Sequence, residues 1–168
     1  MGAAIRVYVA VFLFRDDHVL LLRRSKDKTL ASGLWTGVGG RVEPEEMDDV
    51  ERAALREIHE ETGILPEEVR DLRIRVVFTQ PEEGDISILV FCTGSTDRVD
   101  LGPCEEGDLQ WIELDRVKEI PLIENAARAL EFSAKTKNLE SHDVQFGICI
   151  PQKGGDPLLA ISPDLSSL

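Results

Sequence analysis

Three glutamates on one short segment are the residues of this chain best suited to chemistry. The segment reads Arg-Glu-Ile-His-Glu-Glu over residues 56–61. In a helix, Glu57, Glu60 and Glu61 would share one face, because residues three and four apart are neighbours there. Ala53 falls on the same stripe, so the carboxylates would lie at a buried edge, where like charges repel and desolvation is costly. A cation should compensate: either Arg56 or, better, a bound Mg²⁺ or Mn²⁺, which takes oxygen ligands and binds phosphate oxygens.

A pair of glycines ahead of this segment favours the metal interpretation over the simpler one, in which the acidic helix is a solvated surface. Gly39 and Gly40 follow a predicted strand over residues 34–38. Because glycine has no Cβ, the backbone can approach a ligand closely, and a glycine carbonyl could complete a metal shell. The alternative for these two residues alone is an ordinary turn or β-bulge.

The elements that must position these residues can be predicted from apolar and β-branched runs. Strands are expected over residues 5–14, 18–22, 34–38, 72–79, 85–93 and 109–114. Helices are expected over residues 48–62 and 125–136, the first capped by Asp48 or Asp49 and closed by Gly63. Several strands with one strong internal helix and one later helix favour an α+β fold.

The last part of the chain has a weaker pattern. Residues 144–150 and 158–161 could pair as a β-hairpin, residues 80–84 and 152–157 read as turns, and residues 162–168 look frayed. We therefore expect one domain over residues 1–136 and a C-terminal extension over residues 137–168, with no repeat or linker that would divide the chain further.

The composition limits the partners. The chain has 168 residues and a net charge of −13, which disfavours duplex nucleic acid, because that binding needs a basic face. An acidic protein can still bind a polyphosphate through a divalent cation. The three cysteines, Cys92, Cys104 and Cys149, have no CxxC spacing, so free thiols in a reducing cytoplasm are expected. We expect no signal peptide and no membrane span, and an oligomer is possible.

The sequence resembles the Nudix hydrolase family, whose signature is G-x5-E-x7-R-E-U-x-E-E-x-G-U, with U a bulky aliphatic residue. The second half of the signature is complete in the stretch Arg-Glu-Ile-His-Glu-Glu-Thr-Gly-Ile over residues 56–64, and the opening glycine matches Gly40. The resemblance extends over about residues 5–130. It implies an α/β/α sandwich around a mixed β-sheet and a metal-dependent hydrolase that cleaves a phosphoanhydride bond in a nucleoside diphosphate derivative.

One part of the signature departs from the family pattern. The pattern places thirteen residues between the opening glycine and the arginine, and this chain has fifteen between Gly40 and Arg56. Counting forward from Gly40 gives Glu46 as the first glutamate of the signature, whereas counting back from Arg56 gives Asp48. We choose Glu46 because its side-chain type matches, and the resemblance gives it the role of bracing the loop and the arginine. A two-residue extension of the loop ahead of the helix would explain the difference.

The resemblance also implies a metal site. Glu57, Glu60 and Glu61 would hold Mg²⁺ or Mn²⁺ together with the carbonyl oxygen of Gly39. Arg56 would orient a carboxylate by a salt bridge, for which its planar fork is suited. The metal would neutralise phosphate charge and lower the pKa of an attacking water.

The catalytic base stays open at this stage. Glu57 and Glu61 are candidates, and so is an acid in the loop before Trp111, either Glu105 or Glu106. The alternative for the two loop residues is a solvated acidic loop.

Substrate contacts are expected from scattered residues: Arg23, Gly40, Trp35 and Asn125. Either Arg23 or its neighbour Arg24 could clamp the phosphates, with an exposed strand end as the alternative. Trp35 or Trp111 could stack on a base, although core packing is the commoner role of such tryptophans. Asn125 or Glu124 resembles the base-reading position of the family's oxidised-guanine branch, and a helix N-terminus is the equal alternative.

The substrate we expect is a (deoxy)nucleoside triphosphate such as 8-oxo-dGTP, cleaved to the monophosphate and pyrophosphate. ADP-ribose or a nucleotide sugar is the second substrate class. A Nudix-like nucleotide-sensing module without turnover is the alternative from another functional class. Such modules usually lose carboxylates of the signature, and this chain retains three of them, Glu57, Glu60 and Glu61.

Overall fold

The computed structural model describes residues 2, 4–27, 31–135, 143–150 and, for the backbone alone, 158–161. Within these residues the chain forms nine strands and two α-helices, with three short 3₁₀ helices. The strands are β1 (Ile5–Arg15), β2 (His18–Arg24), β3 (Trp35–Thr36), β4 (Val38–Arg41), β5 (Arg70–Glu82), β6 (Asp85–Ser95), β7 (Gly107–Glu113), β8 (Gln145–Ile150) and β9 (Leu158–Ile161). The helices are α1 (Val50–Thr62) and α2 (Glu124–Lys135).

All the described strands belong to one mixed sheet. Its order is β3-β2-β1-β6-β5-β8-β9, with β4 paired to β1 and β7 paired to β2. β1 and β6 run parallel at the centre, and β5 and β6 form a long antiparallel hairpin. The combination of parallel and antiparallel pairs with separate helices confirms the α+β class.

The two helices cover opposite faces of the sheet, because strand side chains alternate between faces. On β1, Val7, Val9, Val11 and Leu13 pack in the core cluster that contains Ala53, Ala54 and Ile58 of α1. The intervening Phe12 packs in the second cluster, with Ala126, Ala129 and Leu130 of α2. The expected α/β/α sandwich is therefore confirmed.

α1 begins and ends through local capping. The carboxylate of Asp49 accepts from the backbone N–H of Arg52 at 3.0 Å, so Asp49 rather than Asp48 is the N-cap. Gly63 adopts a left-handed conformation, with φ of 74°, and its N–H donates to the carbonyl of His59. Glycine takes this conformation without the steric cost that a Cβ brings. The helix therefore presents the glutamate segment in a fixed position along its last two turns.

The strand predicted over residues 34–38 is interrupted at Gly37. β3 pairs with β2, whereas β4 pairs with β1, so the chain changes neighbour between Thr36 and Val38. A Cβ on Gly37 would lie 2.7 Å from the carbonyl oxygen of Val11, which only glycine avoids. A pattern of apolar residues cannot show this change of partner, because it reports burial and not pairing.

The predicted end of the strand before residue 80 was also wrong. β5 continues through Pro81 to Glu82, and β6 resumes at Asp85. Pro81 lies one residue from the strand end, where its missing N–H costs little of the ladder. Two residues assigned to a turn, Gln80 and Glu82, are therefore strand residues whose side chains point to one face of the sheet.

The C-terminal hairpin joins the same sheet. β8 runs parallel to β5, and β9 pairs with β8 in antiparallel register. The predicted pairing of residues 144–150 with residues 158–161 is therefore confirmed. The frayed end predicted over residues 162–168 and the boundary at residue 136 lie outside the described residues. Among the helices that the structure describes, none has the length and apolar character needed to cross a membrane.

Candidate active site

The glycine pair of β4 lies directly over the glutamates of α1. In the antiparallel register, Gly39 pairs with Ala10 and Gly40 with Val9, which fixes β4 at the centre of the sheet. A Cβ on Gly40 would lie 2.6 Å from Oε1 of Glu57. The absence of a side chain at residue 40 therefore makes room for the Glu57 carboxylate between helix and strand.

Arg56 links the carboxylates of the site. Its Nη1 donates to Glu57 at 2.8 Å and to Glu60 at 3.1 Å. Its Nε and Nη2 donate to the two oxygens of Glu46 at 2.8 and 2.9 Å, and Nη2 also reaches the backbone carbonyl of Arg41. The guanidinium therefore makes a bidentate pair with Glu46 and also donates to the two glutamates of α1.

The structure places Glu46, the residue reached by the forward count from Gly40, in contact with Arg56. Glu46 is 5% exposed and closes a short 3₁₀ helix, Pro44–Glu46, and one of its oxygens also accepts from the N–H of Glu43. The hydrogen bond from Arg56 is the main reason that the pKa of Glu46 is lowered. The two additional residues of the loop fall between Glu46 and α1, where Met47 is 49% exposed. The extension thus projects outward without displacing the bracing pair.

Glu61 is the more deeply buried of the helix carboxylates. It is 6% exposed, and its Oε2 accepts from the backbone N–H of Gly39 at 3.1 Å. Burial raises the pKa of Glu61 to about 8, against the lowering effect of the Gly39 N–H. The charges of Glu57 and Glu106 raise the pKa further, and Arg24 opposes them. A carboxylate in this position is stabilised in its charged form by any cation that approaches it.

Glu57 has a related environment. It is 8% exposed, and burial is the main cause of its raised pKa. The hydrogen bond from Arg56 lowers the pKa, and the negative charges of Glu60 and Glu46 raise it. One arginine therefore compensates only part of the negative charge gathered along this helix.

The loop before β7 brings one of its two acids to the site. The negative charge of Glu106 is one of the causes that raise the pKa of Glu61. The backbone carbonyl of Glu106 also accepts from the N–H of Ser25, so the loop is fixed to the end of β2. Glu105 is exposed and is not among the main causes of the raised pKa of Glu61.

The donor set suits a hard divalent cation. Glu57 and Glu61 offer buried carboxylate oxygens, and Glu60 offers an exposed one, with a side chain that is 56% accessible. In the described part of the chain, no three acidic, histidine or cysteine side chains are already gathered as a closed ligand cage. Glu57 and Glu60 are turned to Arg56, and Glu61 is turned to the N–H of Gly39. Oxygen donors on one helix face are nevertheless what Mg²⁺ and Mn²⁺ require.

Gly39 and Gly40, which lie against Glu61 and Glu57, also line a cleft of about 450 Å³, a volume suited to a nucleotide. Its lining includes Gly39 and Gly40 at one end, Arg24 from β2, and Asn125 from the start of α2. The side chain of Asn125 makes no hydrogen bond within the described residues. The cleft thus extends from the glycine pair of β4 to an amide that is available to a ligand.

Two expected substrate contacts are corrected by the structure. Arg23 is exposed and does not line the cleft, whereas its neighbour Arg24 does. Trp35 is 7% exposed and packs in the core cluster with α2, so its ring is a packing element and offers no free face to a base.

The other tryptophan and the first residue of α2 are also engaged elsewhere. Trp111 donates from Nε1 to the carbonyl of Val99 at 3.2 Å, and the guanidinium of Arg15 lies 4.7 Å from its ring. Glu124 pairs with Arg128 along α2 at 3.1 Å. Of the base-reading candidates, only Asn125 lines the cleft.

Sequence reasoning did not identify the residues that form the floor of the cleft. Tyr8, Gln80 and Glu82 line it from β1 and β5. They come together because the register brings Gln80 opposite Ser87 on β6 and Tyr8 opposite Leu89. The signal that could have located Gln80 and Glu82 was the alternation of β5, had the strand been continued past Thr79.

The fold and the site together define a class of protein. A mixed sheet between two helices, with an arginine-linked carboxylate cluster on the first helix beside a nucleotide-sized cleft, is the arrangement of an enzyme that acts on phosphate esters or anhydrides with a divalent cation. A sequence model of the NUDIX domain matches residues 4–134. The chain belongs to the Nudix family, enzymes that hydrolyse nucleoside diphosphate derivatives and generally need divalent cations.

Similar proteins agree with this membership. The chain is 32% identical over 140 residues to the nucleoside triphosphatase NudI of Klebsiella pneumoniae, covering 77% of this chain and 96% of that protein. It is 29% identical over 130 residues to the uncharacterised Nudix hydrolase YvcI of Bacillus subtilis, covering 74% and 76%. The crystal structure of a MutT protein from Bacillus halodurans has the same fold, with a TM-score of 0.72 and 22% identity over 95% of this chain and 99% of that one.

Proposed function

We propose that this enzyme hydrolyses a (deoxy)nucleoside triphosphate, such as 8-oxo-dGTP, to the monophosphate and pyrophosphate with Mg²⁺ or Mn²⁺. The observation that carries the proposal is the pair of buried carboxylates, Glu57 and Glu61, beneath the two glycines that end the cleft. The similarity to a nucleoside triphosphatase supports the triphosphate as the substrate class.

Glu57, Glu60 and Glu61 would hold the cation, and the carbonyl of Gly39 is proposed as a further ligand. When bound, the cation neutralises phosphate charge and lowers the pKa of an attacking water. Arg56 keeps the carboxylates in place through its bonds to Glu57 and Glu60, while Glu46 holds the other side of the guanidinium. These side chains would therefore keep the carboxylates in position to hold the cation, and the cation would in turn bind the phosphates.

Substrate phosphates would lie between the bound cation and Arg24. Arg24 lines the cleft and its charge acts on Glu61, so a phosphate beside it would be close to the carboxylate site. The base would extend along the cleft toward Asn125, whose amide offers both a donor and an acceptor. Three carboxylates remain as candidates for accepting a proton from the water: Glu57, Glu61 and Glu106.

The proposal is tested with a substrate panel that contains nucleoside triphosphates, 8-oxo-dGTP, ADP-ribose and a nucleotide sugar. Products are separated by ion-exchange chromatography, with and without Mg²⁺. We expect the triphosphates to give monophosphate and pyrophosphate in a metal-dependent reaction. Preferential cleavage of ADP-ribose or the nucleotide sugar would show that the substrate is not a triphosphate. The absence of hydrolysis of any compound would favour a nucleotide-sensing module without turnover.

The metal assignment is tested separately with Glu60→Gln. Because the Glu60 side chain is 56% exposed, the substitution should leave the fold intact. We expect a loss of turnover larger than the roughly 10–100-fold that loss of an outer-shell partner costs. Glu51→Gln, an exposed glutamate at the start of the same helix, is the matched control and should keep wild-type activity. Near-full activity of Glu60→Gln would overturn the assignment.

A further inference from the structure

We propose that Gln80 and Glu82, at the end of the cleft floor, recognise a guanine-type base through its N–H donors. The inference rests on the proposed function and specifies its substrate class. Neither residue belongs to the carboxylate helix, and both lie on β5, beside the turn to β6. Their side chains line the same cleft as Asn125 and Arg24.

The orientation of the Gln80 amide is fixed by its neighbour. Nε2 of Gln80 donates to Oε1 of Glu82 at 3.0 Å. A carboxylate only accepts hydrogen bonds, so the amide must direct its NH₂ group to Glu82 and its carbonyl oxygen away from it. Gln80, which lines the cleft, therefore offers its carbonyl oxygen as a hydrogen-bond acceptor.

Glu82 is itself held in place from the next strand. The hydroxyl of Ser87 donates to Oε2 of Glu82 at 2.8 Å, and Ser87 is fully buried. Arg6 lies 4.0 Å from the same oxygen but makes its close pair with Asp85, at 2.7 Å. Ser87 and Gln80 are cross-strand partners, so the three side chains form one connected network on the cleft face.

This network is rich in acceptors. A carboxylate has about four acceptor positions, and the bonds from Gln80 and Ser87 use two of those on Glu82. With the carbonyl of Gln80, Glu82 therefore offers several acceptors next to one another. A ligand edge with adjacent donors would complement it.

Guanine provides such an edge, because its N1–H and its 2-amino group are neighbouring donors. Hypoxanthine retains N1–H and lacks the amino group, and adenine has a donor only at its 6-amino group. An oxidised guanine keeps both donors of this edge. The chemistry of Gln80 and Glu82 therefore selects guanine and its oxidised form over the other purines.

The experiment compares dGTP, dITP and dATP as substrates of the wild type and of Gln80→Leu and Glu82→Gln. The wild type should favour dGTP over dITP by about five- to tenfold in kcat/KM, since the contact is partly exposed and worth less than a buried charged hydrogen bond. Both variants should bring that ratio close to one by raising KM for dGTP, with kcat within about twofold. Glu83→Gln, at the tip of the same hairpin, is the matched control and should keep the wild-type ratio.

The Ser87→Ala variant tests a residue that would position Glu82 without contacting the base. Ser87 acts only through Glu82, so its loss should weaken the preference for dGTP less than Glu82→Gln does, again through KM. Calorimetric titration of the full-length chain with dGMP and dIMP gives the same ratio without turnover. An unchanged dGTP to dITP ratio in both Gln80→Leu and Glu82→Gln would overturn the inference, as would a wild type that hydrolyses both equally. A wild type that hydrolyses no nucleotide would contradict the proposed function. The ratio of the affinities for dGMP and dIMP would still test whether Gln80 and Glu82 recognise guanine.

Discussion

Both carboxylate oxygens of Glu46 accept hydrogen bonds from Arg56, at 2.8 Å to Nε and 2.9 Å to Nη2. The pair joins the 3₁₀ helix before the loop to the middle of α1, across ten positions of sequence. Because the same guanidinium donates to Glu57 and Glu60, the position of these two carboxylates depends on a residue outside their helix, Glu46. The longer loop between Glu46 and α1 is tolerated because it leaves this pair intact.

Glu46→Gln should destabilise the fold and reduce activity together. The side chain is 5% exposed, so the substitution leaves Arg56 with a weakened partner in a buried position. We expect a loss of about 2 kcal/mol in the free energy of unfolding, measured by urea denaturation, and a fall in kcat as Arg56 loses its fixed orientation. Glu45→Gln, on the exposed side of the same turn, should change neither quantity. Equal stability of the two variants would show that the pair contributes little.

The contribution of Glu46 should also depend on pH. Its pKa in the folded protein is lowered from the ordinary value of 4.5, chiefly by the hydrogen bond from Arg56. The folded state therefore keeps the carboxylate charged to lower pH than the unfolded chain does. The stabilisation is present above about pH 4.5 and is lost as the pH falls through the lowered pKa. The stability difference between wild type and Glu46→Gln should accordingly narrow in acid, and a difference that widens there would contradict this assignment.

Alanine at the two glycines of β4 should have different consequences. A Cβ at residue 40 would meet the end of the Glu57 side chain, which can move, so Gly40→Ala should fold but lose at least about tenfold in kcat through the displaced carboxylate. A Cβ at residue 39 would meet the backbone carbonyl of Val9, which cannot move without disturbing β1. Gly39→Ala should therefore lose about 2–3 kcal/mol of stability. Thermal unfolding and steady-state kinetics on both variants would reveal the contrast, and similar stability losses would argue against it.

The two adjacent arginines at the end of β2 should differ in substrate binding. Arg24 lines the cleft and influences Glu61, whereas Arg23 is exposed outside the cleft. Arg24→Ala should raise KM for a triphosphate by about tenfold, the loss of one charge-assisted hydrogen bond. Arg23→Ala should keep KM within about twofold. The reverse order of effects would mean that the phosphates do not lie along Arg24.

The two acids of the loop before β7, Glu105 and Glu106, should also differ in their effect on activity. If Glu106 accepts the proton of the attacking water, Glu106→Gln should lower kcat by about a hundredfold with little change in KM. Glu105→Gln, at the exposed neighbouring residue, should have wild-type kinetics. Retained activity in Glu106→Gln would restrict the base to Glu57 or Glu61.

The elements that follow from local chemistry could be predicted. Both helices were located within two residues of their observed bounds, because capping by Asp49 and Gly63 and the spacing of apolar residues act along a single segment. The predictions that were wrong concern strand boundaries that are set by pairing with distant strands. The interruption at Gly37 comes from its approach to Val11, and the extra residues of β5 come from pairing with β6. Neither neighbour is visible in the local pattern.

By itself, the sequence determined which donors are available and their order: three helix carboxylates with Arg56, the glycine pair, and Glu46 counted forward from Gly40. These features are encoded by residue type and helical spacing, which fix their relation locally. Only the tertiary structure decided which member of each adjacent pair is engaged: Arg24 and not Arg23 lines the cleft, and Glu106 is the loop acid whose charge acts on Glu61. It also buried Trp35 and brought Gln80 next to Ser87. Strand direction and register set these outcomes, and both arise from contacts between segments far apart in the chain.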